Sequence, residues 1–74
     1  MTLHDAKIGI VYTVSSLNLD RAITRRLEAL GLTKGTVIKV LNRNRGGSVI
    51  IMVRGSRLAL GKKIADRIDT KEAS

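Results

Sequence analysis

A chain of 74 residues holds one domain, and a domain of that size buries only about 60% of the surface its unfolded chain exposes, which leaves little room for a deep cleft. It has no cysteine, so disulfides and thiolate metal sites are excluded. Fourteen Lys and Arg against six Asp and Glu give a formal charge of +8, which points to an acidic partner: a nucleic acid, a lipid surface or an acidic protein face.

In chain order, residues 1–7 lack the basic start and apolar run of a signal peptide and read as a mobile segment. Residues 7–17 read as a strand, because Ile8, Ile10, Tyr12 and Val14 recur with a period of two. Asn18 or Asp20 offers an N-cap for a helix over residues 20–30. On that helix Ile23, Leu27 and Leu30 share one apolar stripe, with Arg21, Arg25 and Glu28 opposite. Arg26 sits beside the stripe, a position that suits a structural role: its stem packs on the core edge and its guanidinium donates to nearby carbonyls. Gly31 suits a left-handed position just past the helix, and Lys34-Gly35 reads as a turn.

The β-branched residues 36–41 form the next strand, and 42–47 a hairpin loop carrying Arg43 and Arg45. Residues 48–53 are apolar enough to be buried on both faces of a sheet. Their longest apolar run, 49–53, falls far short of the ~20 residues of a spanning helix, so membrane insertion is not expected. Arg54-Gly55-Ser56 makes a turn, 57–60 a short strand, 61–66 a helical turn or two, and 67–69 a last strand; residues 70–74 are expected to fray. These elements predict one mainly β domain over residues 1–74: a small, partly open five-stranded barrel with one short helix after its first strand and a helical turn near the C-terminus.

Two stretches are distinctive. One runs Arg25-Arg26-Leu27-Glu28-Ala29-Leu30-Gly31-Leu32-Thr33-Lys34-Gly35-Thr36; the other runs Val53-Arg54-Gly55-Ser56-Arg57-Leu58-Ala59-Leu60 and is followed by Ile64-Ala65-Asp66-Arg67-Ile68. Together they resemble the ferrous iron transport protein A (FeoA) family, over nearly the whole chain and in order. The chain departs from the family's common pattern at Lys34 and at residues 42–48, where prolines are frequent. The resemblance implies an SH3-like barrel and a cytoplasmic accessory role beside FeoB, a membrane iron(II) transporter with a GTP-binding domain. It also implies a place peripheral to the inner face of the cell membrane.

The residues offer no catalytic constellation. His4 is the only histidine and no serine or threonine lies near it in a fixed element, so no enzyme is read here. Gly61-Lys62-Lys63 lacks the spaced first glycine and the hydroxyl residue of a phosphate-binding loop, and no cofactor site is expected. His4 and Asp5 are at most half of a surface metal site, and no metal ligand set is assigned. Arg43, Arg45, Arg54 and Arg57, with Leu30 and Leu32, are the candidate partner-binding residues; Arg26, Leu27, Gly31, Gly35 and Gly55 are the structural signature. A contiguous exposed leucine patch would mark a partner site or weak self-association. A nucleic-acid-binding barrel using phosphate contacts is the competing reading, but single-stranded binders stack bases on aromatic rings and Tyr12 is the only one here. The same lack argues against a polyproline groove.

Overall fold

A computed structural model describes residues 1–73 of the chain. A 3₁₀ turn, Leu3–Asp5, precedes strand β1 (Val11–Leu17), helix α1 (Arg21–Ala29), strands β2 (Val37–Arg43), β3 (Val49–Val53) and β4 (Ser56–Leu60), the short helix α2 (Lys62–Ala65) and strand β5 (Ile68–Glu72). The strands form one antiparallel sheet in the order β4-β3-β2-β1-β5. The mainly β, five-stranded, partly open architecture is therefore the one the sequence predicts.

Strand periodicity decides which side chains enter the core. Tyr12 and Val14 of β1, Ile38 and Val40 of β2, Val49, Ile51 and Val53 of β3 and Ile68 of β5 all face inward and are buried. Leu27 of α1, Leu32 beyond it and Ala65 of α2 cover that face. Tyr12 is fully enclosed, and its hydroxyl accepts a 2.8 Å hydrogen bond from the Lys7 N–H. One-residue bulges interrupt the pairing of β1 with β5 between Val14 and Ser16, and of β2 with β3 between Val40 and Asn42; they bend the strands around the core.

Both chain ends differ from the expectation. Residues 1–7 are not a mobile segment: Leu3 and Ala6 are fully buried, Thr2 bridges to Asp69, and the Thr70 N–H donates to the Met1 carbonyl at 2.7 Å. For the same reason residues 70–72 do not fray but complete β5, with Thr70 buried and its Oγ1 also donating to Met1. Ala73 N–H donates to the Val11 carbonyl, and Ser74 lies outside the described residues. The first strand begins at Val11 rather than residue 7, because Gly9 turns the chain at φ 86° and leaves Ile8 exposed.

The leucines divide sharply. Leu27, Leu32 and Leu60 are core, Leu58 is half-buried, and Leu30 is 55% exposed. Leu30 therefore leaves the apolar stripe assigned to it, and the leucines do not form a contiguous exposed patch. Truncating Leu32 to Ala should cost about 2–5 kcal/mol of unfolding free energy, whereas Leu30→Ala should stay within about 0.5 kcal/mol; urea unfolding of the two variants checks the contrast. Lys34→Pro should stabilise by about 0.4–1 kcal/mol in the same assay, because Gly35, at φ 90°, occupies the second central position of a type II turn and the Lys34 N–H makes no backbone hydrogen bond.

Candidate functional site

The site grows from the way α1 ends. Its start is ordinary: Asp20 caps it, its Oδ1 accepting from the Ile23 N–H at 2.9 Å. At its end Gly31 takes φ 94°, its N–H donates to the Glu28 carbonyl at 2.9 Å, and the Leu32 N–H reaches back to the Leu27 carbonyl at 2.9 Å. This pair of bonds is a Schellman closure, and its usual hydrophobic clasp is present because Leu27 and Leu32 are both buried. Glycine is required at the left-handed position.

The chain then turns at once. The Thr36 N–H donates to the Thr33 carbonyl at 3.1 Å, the two threonine hydroxyls share a 2.8 Å hydrogen bond, and Thr36 Oγ1 donates to the Gly31 carbonyl. Gly35 N–H and Val14 N–H exchange bonds with the carbonyls of Val14 and Thr36, locking the turn to β1. Lys34 is left exposed at the tip and Val37, the first residue of β2, is 56% exposed.

The second distinctive stretch meets the first here. Arg54 and Gly55 link β3 to β4 with φ 51° and 80°, and Val53 pairs with Ser56. Two successive positive φ values describe a type I′ hairpin turn, whose first position favours Asn or Gly. Arg54 is the only non-glycine residue with positive φ among the described residues. Its stem lies across Gly31: a methyl group at residue 31 would sit 2.8 Å from Arg54 Cδ and 3.3 Å from Nε. Gly31 is thus needed twice, once for its φ and once to make room.

Between these pieces is an open depression of about 420 Å³ lined by Thr33, Lys34, Gly35, Thr36, Val37 and Arg54. It offers two cations, two hydroxyls and one apolar side chain, with no carboxylate in its lining. Leu30, next to Gly31 in sequence, is exposed but lies outside that lining. Such a surface can accept an anionic group next to an apolar one. It presents no nucleophile held by a base.

The other expected residues scatter. Arg57 is exposed on β4, and Arg45 is exposed in the β2–β3 loop. Arg43 belongs to β2 rather than the loop; it is half-buried and Nη2 donates to the Ala6 carbonyl, which gives it a structural contact. Leu32 is in the core and cannot meet a partner. Arg26 is exposed and makes no side-chain hydrogen bond among the described residues, unlike the carbonyl-donating role expected of it. His4 Nδ1 lies 3.7 Å from Asp5 Oδ1 and 3.8 Å from Asp66 Oδ1, bringing the N-terminal turn to α2. Among the described residues no three His, Asp or Glu side chains gather as a metal-ligand group. No helix among them is long and apolar enough to cross a membrane. The residues that the sequence reading did not name as site residues are Lys34, read there only as part of a turn, and Thr33, Thr36 and Val37; their signal was the threonine pair flanking Lys34-Gly35.

Comparison with known proteins gives a consistent answer. Residues 1–71 match the FeoA domain family. A protein named Fe(2+) transport protein A from Methanocaldococcus jannaschii is 34% identical over 68 residues, covering 92% of this chain and 82% of the relative. The solution structure of the FeoA protein from Chlorobium tepidum superposes with a TM-score of 0.92 at 29% identity, covering all of this chain and 71% of that one. The FeoA of Stenotrophomonas maltophilia, solved in complex with zinc and described as a prokaryotic SH3 domain protein, superposes with a TM-score of 0.79 at 29% identity, covering 96% of this chain and 89% of that one.

The backbone at Arg54 makes a stability prediction. Arg54→Asn keeps the turn and relieves a left-handed arginine, so it should raise unfolding free energy by about 0.5–1 kcal/mol, read from chemical denaturation.

Proposed function

The chain belongs to the FeoA domain family, and from that membership we propose that it is a non-enzymatic accessory of ferrous iron uptake which docks on the cytoplasmic side of an FeoB-type membrane iron(II) transporter. The observation that carries the docking site is Arg54. A left-handed arginine costs on the order of 1 kcal/mol where Asn or Gly would cost little, and what that arginine adds is a cation at the rim of the depression, seated on Gly31. Lys34 supplies a second cation and Val37 supplies apolar surface in the depression, and the exposed Leu30 at the end of α1 supplies further apolar surface that a partner can dehydrate. The occupant that fits is an acidic segment of the transporter with an apolar side chain beside its carboxylate. The family role in iron transport supports the choice of partner; the Arg54 rim supports the choice of surface.

Binding of single-stranded nucleic acid by base stacking is disfavoured by the placement of Tyr12. The sole aromatic ring is sealed in the core with its hydroxyl engaged, so it cannot stack a base.

Titrating the protein against full-length FeoB-type transporter in a bilayer mimic, at about 150 mM salt, should give saturable binding. Arg54→Glu and Leu30→Asp, both at exposed positions, should each weaken it about tenfold or more, while Arg21→Glu on the far side of α1 should not. Binding to an RNA control with no binding to the transporter would overturn the proposal.

A further inference from the structure

An antiparallel sheet with one face on the core normally alternates apolar-in and polar-out. The outer face here departs from that rule. The pairings Val11↔Lys39, Lys39↔Met52 and Met52↔Arg57 set four residues in a row across β1, β2, β3 and β4, and Lys71↔Thr13 and Thr13↔Val37 set three more beside it across β5, β1 and β2. Directly paired residues share a face, so Val11, Val37 and Met52 surround Lys39 on the outside of the sheet, with Arg57 towards one edge and Lys71 towards the other. Ile50, two residues from Met52, extends the apolar part. Val11 and Val37 are exposed and Met52 and Ile50 are half-exposed; Lys39, Arg57 and Lys71 are all exposed.

Among the described residues the charge on this face is chiefly positive. The carboxylate beside it, Asp69, is half-buried and its Oδ2 already accepts from Ser16 Oγ and Asn18 Nδ2 at 3.1 Å each. Glu72 pairs with buried Tyr12 and so belongs to the other side of the sheet. Lys71 and Arg57 lie on the two outermost strands, four strand spacings apart, which is roughly 19 Å measured along the curved sheet.

From this arrangement we propose that the outer sheet face is a docking surface for an anionic lipid bilayer. Three long cations, with no ion-pair partner among the described residues, are spread across the sheet and match a diffuse array of negative charge rather than a single carboxylate. The apolar residues between them are few and include no aromatic ring, so the contact is shallow and held chiefly by charge. Val37 belongs both to this face and to the depression beside Arg54. A protein adsorbed through the sheet therefore presents that depression at the membrane surface.

The test is co-sedimentation with vesicles of phosphatidylcholine alone and of equal parts phosphatidylcholine and phosphatidylglycerol. No transporter is present, so failure here leaves the docking reading above untouched. The protein should favour the anionic vesicles, and the preference should fall as salt rises. The triple variant Lys39→Glu, Arg57→Glu, Lys71→Glu should lose about a hundredfold or more in partitioning, with Lys39→Gln, Arg57→Gln, Lys71→Gln showing a smaller loss as a gentler change. The variant Arg21→Glu, Arg25→Glu, Arg26→Glu has the same net charge as the first but alters α1, and it should bind within about threefold of the unaltered protein. Equal loss in the two glutamate variants would overturn the proposal in favour of undirected basicity. So would indifference to vesicle charge, or undiminished vesicle binding by the sheet variant.

Discussion

The left-handed backbone at Gly31 is the constraint on which the rest of the arrangement depends. It lets the chain leave α1 in a direction that drops Leu32 into the core beside Leu27, so the helix is closed and anchored by the same two residues. It aims the next four residues into the Thr33–Thr36 turn, which in turn fixes where β2 begins against β1. It also leaves an absence of side chain in which the stem of Arg54 lies. A residue with a Cβ would oppose all three at once, through backbone strain and through contact.

Much of this was legible in the sequence because local rules and tertiary structure agree. The strands β2, β3 and β4, the helix α1, the cap at Asp20 and the glycine positions all follow from period, capping and turn chemistry, and the FeoA resemblance rested on the same residues. The misplaced features share a different cause. Leu30 fits the helical stripe by angle alone, yet as the residue that caps the helix it is carried past the core, and Leu32 takes its place. The N-terminal turn and the end of β5 look polar and short when read separately. They become ordered only through each other, by bonds between Met1 and Thr70 that span nearly the whole chain and leave no local trace.

The candidate site was legible only in part. Arg54 stood out as half of a turn, and nothing local joins it to Gly31, which lies far away in sequence. Charge counting treated the arginines as equivalent, whereas the fold gives them different work. Arg43 holds a backbone carbonyl, Arg26 points to water, Arg54 rests on the helix terminus and Arg57 stands on the open face of the sheet. The apolar outer face of β3 was visible as a strand apolar on both sides, but the sequence did not show that its outer side lies bare among cations.

The pairing of β1 with β5 bears on how the protein is made. β2, β3 and β4 pair with neighbours in sequence and can assemble as a meander through local contacts. β1 cannot be finished in that way, because one of its hydrogen-bonding edges stays bare until residues 68–72 have been synthesised. Until β5 joins, the chain therefore carries an open template for strand addition, next to the apolar residues that Ile68 will later cover. Arrival of β5 seals the sheet and clamps Met1 and Thr2 in one event, so residues 68–72 act as the latch of a turn some seventy residues away.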